Sequence, residues 1–234
     1  MYICAQIERQ NLTALKNIAL VGNPNSGKSS LFNALTGLNQ KVGNFPGVTV
    51  DKKTGRCNLS NVLMANIIDL PGTYSLYPKS ADEAVTFDVL FDDDPAVKID
   101  VVVVLIDASN LKRNLLFCSQ IIDIKKPVVI ALTMMDIARQ KGFQIDVNGL
   151  SRELGFPVVA VNPRKNKGIS ELKRQIELTL TSPFEAPPRD FIDNYGLAKE
   201  VVNIVKKYKH VTSDSSAIHF ASAYPSLNLI SEAS

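Results

Sequence analysis

The chain of 234 residues has no tryptophan, two histidines and three cysteines. Cys4, Cys57 and Cys118 stand far apart and form no paired pattern, which argues against a disulfide frame and a zinc site and suits a reducing compartment. His210 and His219 lack ligand-like spacing with cysteines or acids, so neither is assigned a metal. No apolar run approaches the roughly 20 residues of a membrane-spanning helix. Residues 1–10 carry Glu8 and Arg9 and lack the apolar centre of a signal peptide. An excess of one charge is missing too: 26 basic against 23 acidic residues leave +3, too weak to imply a nucleic-acid partner. Twelve glycines, twelve prolines and 7% aromatics exclude collagen-like, low-complexity and mainly disordered chains. What is there, 45% hydrophobic and 21% charged residues, is the balance of a soluble globular protein, with room for one large domain or one plus a small appendage.

From about residue 17 to 180, short apolar runs alternate with helix-like stretches, the pattern of a mostly parallel sheet covered on both faces. Strands are expected at 17–21, 48–58, 64–70, 99–107, 127–132 and 157–161, and helices at 28–36, 82–90, 114–124, 147–154 and 170–179. Residues 101–106 are all apolar between Asp100 and Asp107, which reads as a buried strand. The pair 48–58 and 64–70 reads as a hairpin, the one antiparallel pair. Gly37 and Gly155 sit where helix-ending glycines belong. There is no internal repeat. Three prolines between residues 183 and 188 mark a stiff linker and a domain boundary. Beyond it, 191–208 and 213–224 suit helices, with too few large apolar groups for a core of their own. The expected division is 14–181 and 182–234.

Gly22-Asn-Pro-Asn-Ser-Gly-Lys-Ser29 fits the phosphate-binding pattern G-x-x-x-x-G-K-[ST], between an expected strand and an expected helix. Such a loop turns backbone N–H groups toward phosphate oxygens, and the helix N-terminus adds partial positive charge. The expected contacts are Asn23, Pro24, Asn25, Ser26, Gly27, Lys28, Ser29 and Ser30. Lys28 reaches the outer phosphates and Ser29 binds Mg²⁺. The plainer alternative is a glycine-rich turn. Asp69-Leu-Pro-Gly72 ends a hydrophobic strand about 40 residues on, where Asp69 can reach Mg²⁺ through water and the Gly72 N–H can contact a γ-phosphate. Between them, 41–50 reads as a mobile loop, in which Gly47, Val48 and Thr49 approach the nucleotide and Thr49 adds oxygen to the metal–phosphate cluster. Its alternative is a simple connector.

Thr133-Met134-Met-Asp136 follows the strand 127–132. Asp136 can accept from guanine N1–H and the exocyclic amine, a pattern adenine cannot supply; helix capping is its plainer role. Loops of this class usually carry Asn where this chain has Thr133. Asn162-Pro163 stands after the last strand, where a base-contacting loop is expected; a basic surface turn is the alternative. Asp92–Asp94 reads as a solvated turn.

These motifs resemble a Ras-type GTPase, and more narrowly the cytosolic part of the bacterial ferrous iron transport protein B family. Gly22–Ser29, Val42-Gly-Asn-Phe-Pro-Gly-Val-Thr49, Asp69-Leu-Pro-Gly-Thr-Tyr-Ser-Leu76 and Asp107-Ala-Ser-Asn-Leu-Lys-Arg-Asn-Leu115 with Gln120 carry the likeness. The resemblance implies a Ras-like α/β fold: a mostly parallel six-stranded sheet with one antiparallel edge strand, and a small C-terminal helical spacer domain. It implies binding of GTP and GDP with Mg²⁺, and slow hydrolysis gating ferrous iron import through a membrane permease domain of the same chain. This stretch then belongs at the cytoplasmic face of the inner membrane, as an N-terminal fragment, with no nucleic-acid partner. It also implies potassium activation through Asn25. The implied catalytic set is Asn25, Lys28, Thr49 and Gly72, and the metal set is Ser29, Thr49 and Asp69 for Mg²⁺ with Asn25 for K⁺. Thr73 stands where a Ras-like protein places its water-orienting glutamine. Two other readings are a ribosome- or RNA-associated assembly GTPase, which the weak charge and residues 73–76 oppose, and a nucleotide sensor without catalysis.

Overall fold

A computed structural model describes residues 15–37, 40–43, 52–76, 81–91, 98–187 and 190–191. Strands β1 (Lys16–Gly22), β2 (Gln40–Gly43), β3 (Lys52–Asn58), β4 (Met64–Asp69), β5 (Val101–Asp107), β6 (Val128–Thr133) and β7 (Val158–Ala160) form one sheet in the order β2-β3-β4-β1-β5-β6-β7. The helices are α1 (Lys28–Thr36), α2 (Ala81–Phe91), α3 (Leu111–Asp123), α4 (Met135–Gln140), α5 (Val147–Leu154) and α6 (Ile169–Thr181).

Strands β4, β1, β5, β6 and β7 pair in parallel, and β3 runs antiparallel to both β4 and β2. The six expected strands are all present, and β2 adds a seventh. Two expectations are thereby corrected. The antiparallel strand β3 lies one place in from the edge, and the stretch 41–43, expected as part of a loop, extends along it with Val42 opposite Lys53. Four residues are too few to show alternation, and the neighbouring glycines and proline dominate the sequence signal. Gly47, Val48, Thr49, Asp92–Asp94, His210, His219 and the helices expected beyond residue 191 lie outside the described residues.

Side chains of β1 alternate between two cores. Ala19 and Val21 join Val102, Val104 and Ile130 under Phe117 and Ile121 of α3. Ile18 and Leu20 join Val103 and Val129 under Phe32 and Leu35 of α1 and Leu172 and Ile176 of α6. With helices on both faces, a central strand has no polar side, which is why residues 101–106 read as an unbroken apolar run and are buried throughout. Burial pushes the Cys118 thiol up to about 12 and raises that of Cys57, disfavouring the thiolate at both.

Left-handed Gly37 and Gly155 end α1 and α5, as the sequence predicts. Helix α3 starts before Asn114, whose side chain accepts from the Asp107 N–H at 3.2 Å and donates to the Asn110 carbonyl at 2.9 Å. The parallel strands end on one edge of the sheet. Chain connections diverge there between β1 and β5, the place where open α/β sheets bind ligands.

Candidate functional site

At that edge a cavity of about 590 Å³ opens between the loops following β1, β4, β6 and β7. It brings together Asn23, Pro24, Asn25, Gly27, Lys28, Ser29, Ser30, Gly72, Thr133, Met134, Asp136, Asn162 and Pro163, all predicted from sequence. Arg164, within the stretch 162–168 where a base-contacting loop is expected, also lines it, as do Ile137 and Val161, which were not predicted. Ser26 and Asp69 do not line the cavity; Ser26 is buried beneath the loop, and Asp69 sits behind Lys28.

The phosphate loop is wound tightly. Asn25 and Gly27 hold φ of 64° and 91°, and the Ser26 N–H donates to the Asn23 carbonyl at 3.2 Å. Helix α1 begins with the Leu31 N–H on the Gly27 carbonyl at 2.9 Å and has no side-chain cap, so its first N–H groups remain for an anion. Gly22 admits no side chain: a Cβ there would lie 2.9 Å from Ser26 Oγ and 3.0 Å from the Leu105 carbonyl oxygen. The Asn23 amide and the Ser26 hydroxyl are buried with no hydrogen-bond partner in the structure, an unmatched polar pair at the foot of the loop.

The loop after β4 is stitched to the phosphate loop. The Leu70 N–H donates to the Leu20 carbonyl and the Thr73 N–H to the Gly22 carbonyl, each at 3.2 Å. A Cβ on Gly72 would meet the Pro24 backbone at 3.2 Å. Lys28 Nζ forms an ion pair with Asp69, both side chains largely buried. Ser29 and Asp69 offer a hydroxyl and a carboxylate beside a phosphate-shaped loop, oxygen donors that fit Mg²⁺. Thr73 is 1% exposed, and its hydroxyl donates to the Ser75 carbonyl at 2.6 Å.

The other end of the cavity, where the sequence predicts contact with a base, is made by two loops. Met134 adopts φ 56°, turning the chain from β6 into α4, a six-residue helix too short to show periodicity in sequence. Asp136, exposed in its first turn, accepts from the Asn162 amide at 3.4 Å. Asn162 in turn accepts from the Lys165 N–H at 3.2 Å and exchanges two backbone hydrogen bonds with Lys167. The loop after β7 is thus closed on itself and presents Asn162, Pro163 and Arg164 to the cavity.

A phosphate loop on β1, an Asp-x-x-Gly loop on β4 and an aspartate-bearing loop on β6, sharing one cavity on a mostly parallel sheet, define a P-loop G domain with the Ras-like fold. Residues 16–176 match the family model described as Ferrous iron transport protein B, so the chain belongs to that family. The Fe(2+) transporter FeoB of Leptospira biflexa is 49% identical over 158 residues, 68% of this chain and 22% of the relative. The chain therefore spans about a fifth of the length of the curated relatives it matches. Among solved structures, the cytosolic domain of L. pneumophila FeoB is 38% identical with a TM-score of 0.73, covering 89% of this chain and 86% of that one. The cytosolic domain of T. maritima FeoB in its GMPPNP form is 32% identical with a TM-score of 0.72, covering 88% and 80%. Among the described residues no helix is long and apolar enough to cross a membrane, and no three His, Cys, Asp or Glu side chains cluster as a metal site.

Proposed function

We propose that this chain is the nucleotide-binding switch of a ferrous iron transporter: it binds GTP and GDP with Mg²⁺, hydrolyses GTP slowly, and thereby regulates iron passage through a membrane permease domain. The observation that carries the reading is one cavity lined together by the phosphate loop, Gly72 and Asp136, which supports a single ligand reaching all three. A neighbour with the same fold was solved in a GMPPNP form, which supports a guanine nucleotide as that ligand. Residues 14–181 form the G domain, because α6 ends at Thr181 and the prolines follow. Residues 182–234 form the helical spacer, and the G domain works at the cytoplasmic face of the membrane.

Lys28 leaves Asp69 to meet the outer phosphates, and the N–H groups that open α1 hold the inner ones. Ser29, Thr49 and Asp69 would hold Mg²⁺, Asp69 through water, and the bound ion would supply positive charge against the phosphate oxygens. The Gly72 N–H meets the γ-phosphate and carries its presence into the loop after β4. Thr73 is buried with its hydroxyl donating to the Ser75 carbonyl, and its side chain is too short to do the work of a water-orienting glutamine, so water positioning falls to backbone or to other groups. Asn25, which lines the cavity in the phosphate loop, would hold K⁺ through its side-chain carbonyl, and the ion would supply positive charge in place of an arginine finger. Asp136 reads guanine, and Asn162 and Pro163 enclose the base. Phosphate release from GTP, measured under multiple turnover in potassium and in sodium chloride, tests the reading. Turnover in potassium supports it, and binding without turnover in either salt leaves a sensor rather than an enzyme.

A further inference from the structure

Thr133 ends β6 at the junction of the two halves of the cavity. Its side chain is 2% exposed. Its hydroxyl donates to the Ser26 carbonyl of the phosphate loop at 2.8 Å and to the Ile106 carbonyl of β5 at 3.2 Å. The Thr133 methyl and the Met134 terminal methyl lie 4.0 and 3.6 Å from where a Cβ would stand on Gly27. Residue 133 is thus fastened to the phosphate loop by a hydrogen bond, with its methyl on the side of Gly27. A threonine hydroxyl has one proton. Shared between two backbone carbonyls, that proton leaves no donor at this position for a ligand.

The chemistry of guanine turns this into a statement about recognition. The donors N1–H and N2–H lie on the six-membered ring. The acceptor N7 lies on the five-membered ring, which also carries the ribose and, through it, the phosphates. Thr133 touches the phosphate loop, so it belongs to the five-membered side. Asp136 stands three residues further along, at the start of α4, on the six-membered side. Resting on the guanine-nucleotide reading above, we propose that Thr133 is a positioning residue that ties the base loop to the phosphate loop and leaves guanine N7 unread. The base is then selected through its N1–N2 edge alone.

The test compares GDP with 7-deaza-GDP, in which a C–H replaces N7, by competition against a fluorescent GDP analogue and by stopped-flow release, on the full 234-residue chain with Mg²⁺. The wild type binds both equally, within about two-fold, because no protein hydrogen bond is lost. Thr133→Val keeps the shape and removes the tether: both ligands weaken several-fold together and leave faster, with their ratio still near one. Thr133→Ser restores wild-type release. Thr133→Asn supplies an amide donor, so 7-deaza-GDP becomes weaker than GDP by about 2- to 13-fold, the span of one neutral hydrogen bond. A merely structural role for residue 133 would leave the ratio untouched in every variant. A wild-type preference for GDP above about threefold overturns the unread N7. Unchanged release from a folded Thr133→Val overturns the tether. If Thr133→Val does not fold, the wild-type and Thr133→Asn ratios decide. Failure of the wild type to bind GDP at all is a separate result, which removes the guanine reading and this inference with it.

Discussion

The two ends of the cavity are built differently. The phosphate end comes from one continuous strand–loop–helix, residues 16–36, with the loop after β4 laid against it through Gly22 and Gly72. Its contacts are backbone groups in fixed positions, with Lys28 as the cation. The base end is assembled from residues 133–137 and 161–164; backbone bonds close the loop after β7 on itself, and side chains tie the parts together, Thr133 on Ser26 and Asn162 on Asp136. A site made of backbone tolerates few substitutions because its geometry leaves no room. A site made of side chains changes its selectivity with single residues.

Removing the phosphate-end cation is expected to have the largest effect. Lys28→Ala should weaken GTP by more than about 100-fold, because several charge-assisted contacts are lost at once. Titration with a fluorescent GTP analogue checks this, and wild-type affinity would sink the phosphate-loop assignment. Gly72→Ala should push the loop after β4 away from Pro24 by a few tenths of an ångström or more. Since small misplacements of reacting groups can cost about 100-fold, hydrolysis should slow by up to that factor while GDP affinity changes little. Single-turnover phosphate release separates the two. Equal rates in variant and wild type would mean that the two loops are not mechanically joined.

At the base end, Asp136→Ala should weaken guanine nucleotides by about 10- to 100-fold, the worth of a charged hydrogen-bond pair, and erode discrimination against ATP. Competition between GTP and ATP for the variant measures both; retained selectivity would place base recognition elsewhere. The smallest effect expected is the salt effect. Hydrolysis should run several-fold faster in potassium than in sodium chloride, with the difference removed by Asn25→Ala and GTP binding kept. Equal rates in the two salts would strike out the ion while leaving the nucleotide site intact.

The same contrast decides what was legible in the sequence. Helices 28–36 and 147–154 have the predicted bounds because a glycine in the left-handed region stops each one. The phosphate loop was legible because its chemistry is contiguous. Short elements were not: β2 has four residues and α4 six, about two periods or fewer of each kind, too little repetition to stand out from the loops around them. Ile137 reaches the cavity through the turn after β6, where Met134 holds φ 56°, and Val161 stands directly after β7; neither position belongs to a residue pattern. Thr133 was visible as a departure from asparagine. Only its two carbonyl partners, 107 and 27 residues away in sequence, reveal what the hydroxyl does instead.

The ion pair between Lys28 and Asp69 gives the site a property that neither side chain has alone. Each charge is the other's counterion. A ligand that recruits Lys28 must first separate the pair, and so must one that recruits Asp69. Whichever arrives second finds the separation already made. The two binding events are therefore favourably coupled, and by reciprocity each raises the other's affinity by the same factor. An anion alone meets the N–H groups of α1 with Lys28 still held by Asp69, and a cation alone meets Asp69 still held by Lys28; the combination of both frees the pair.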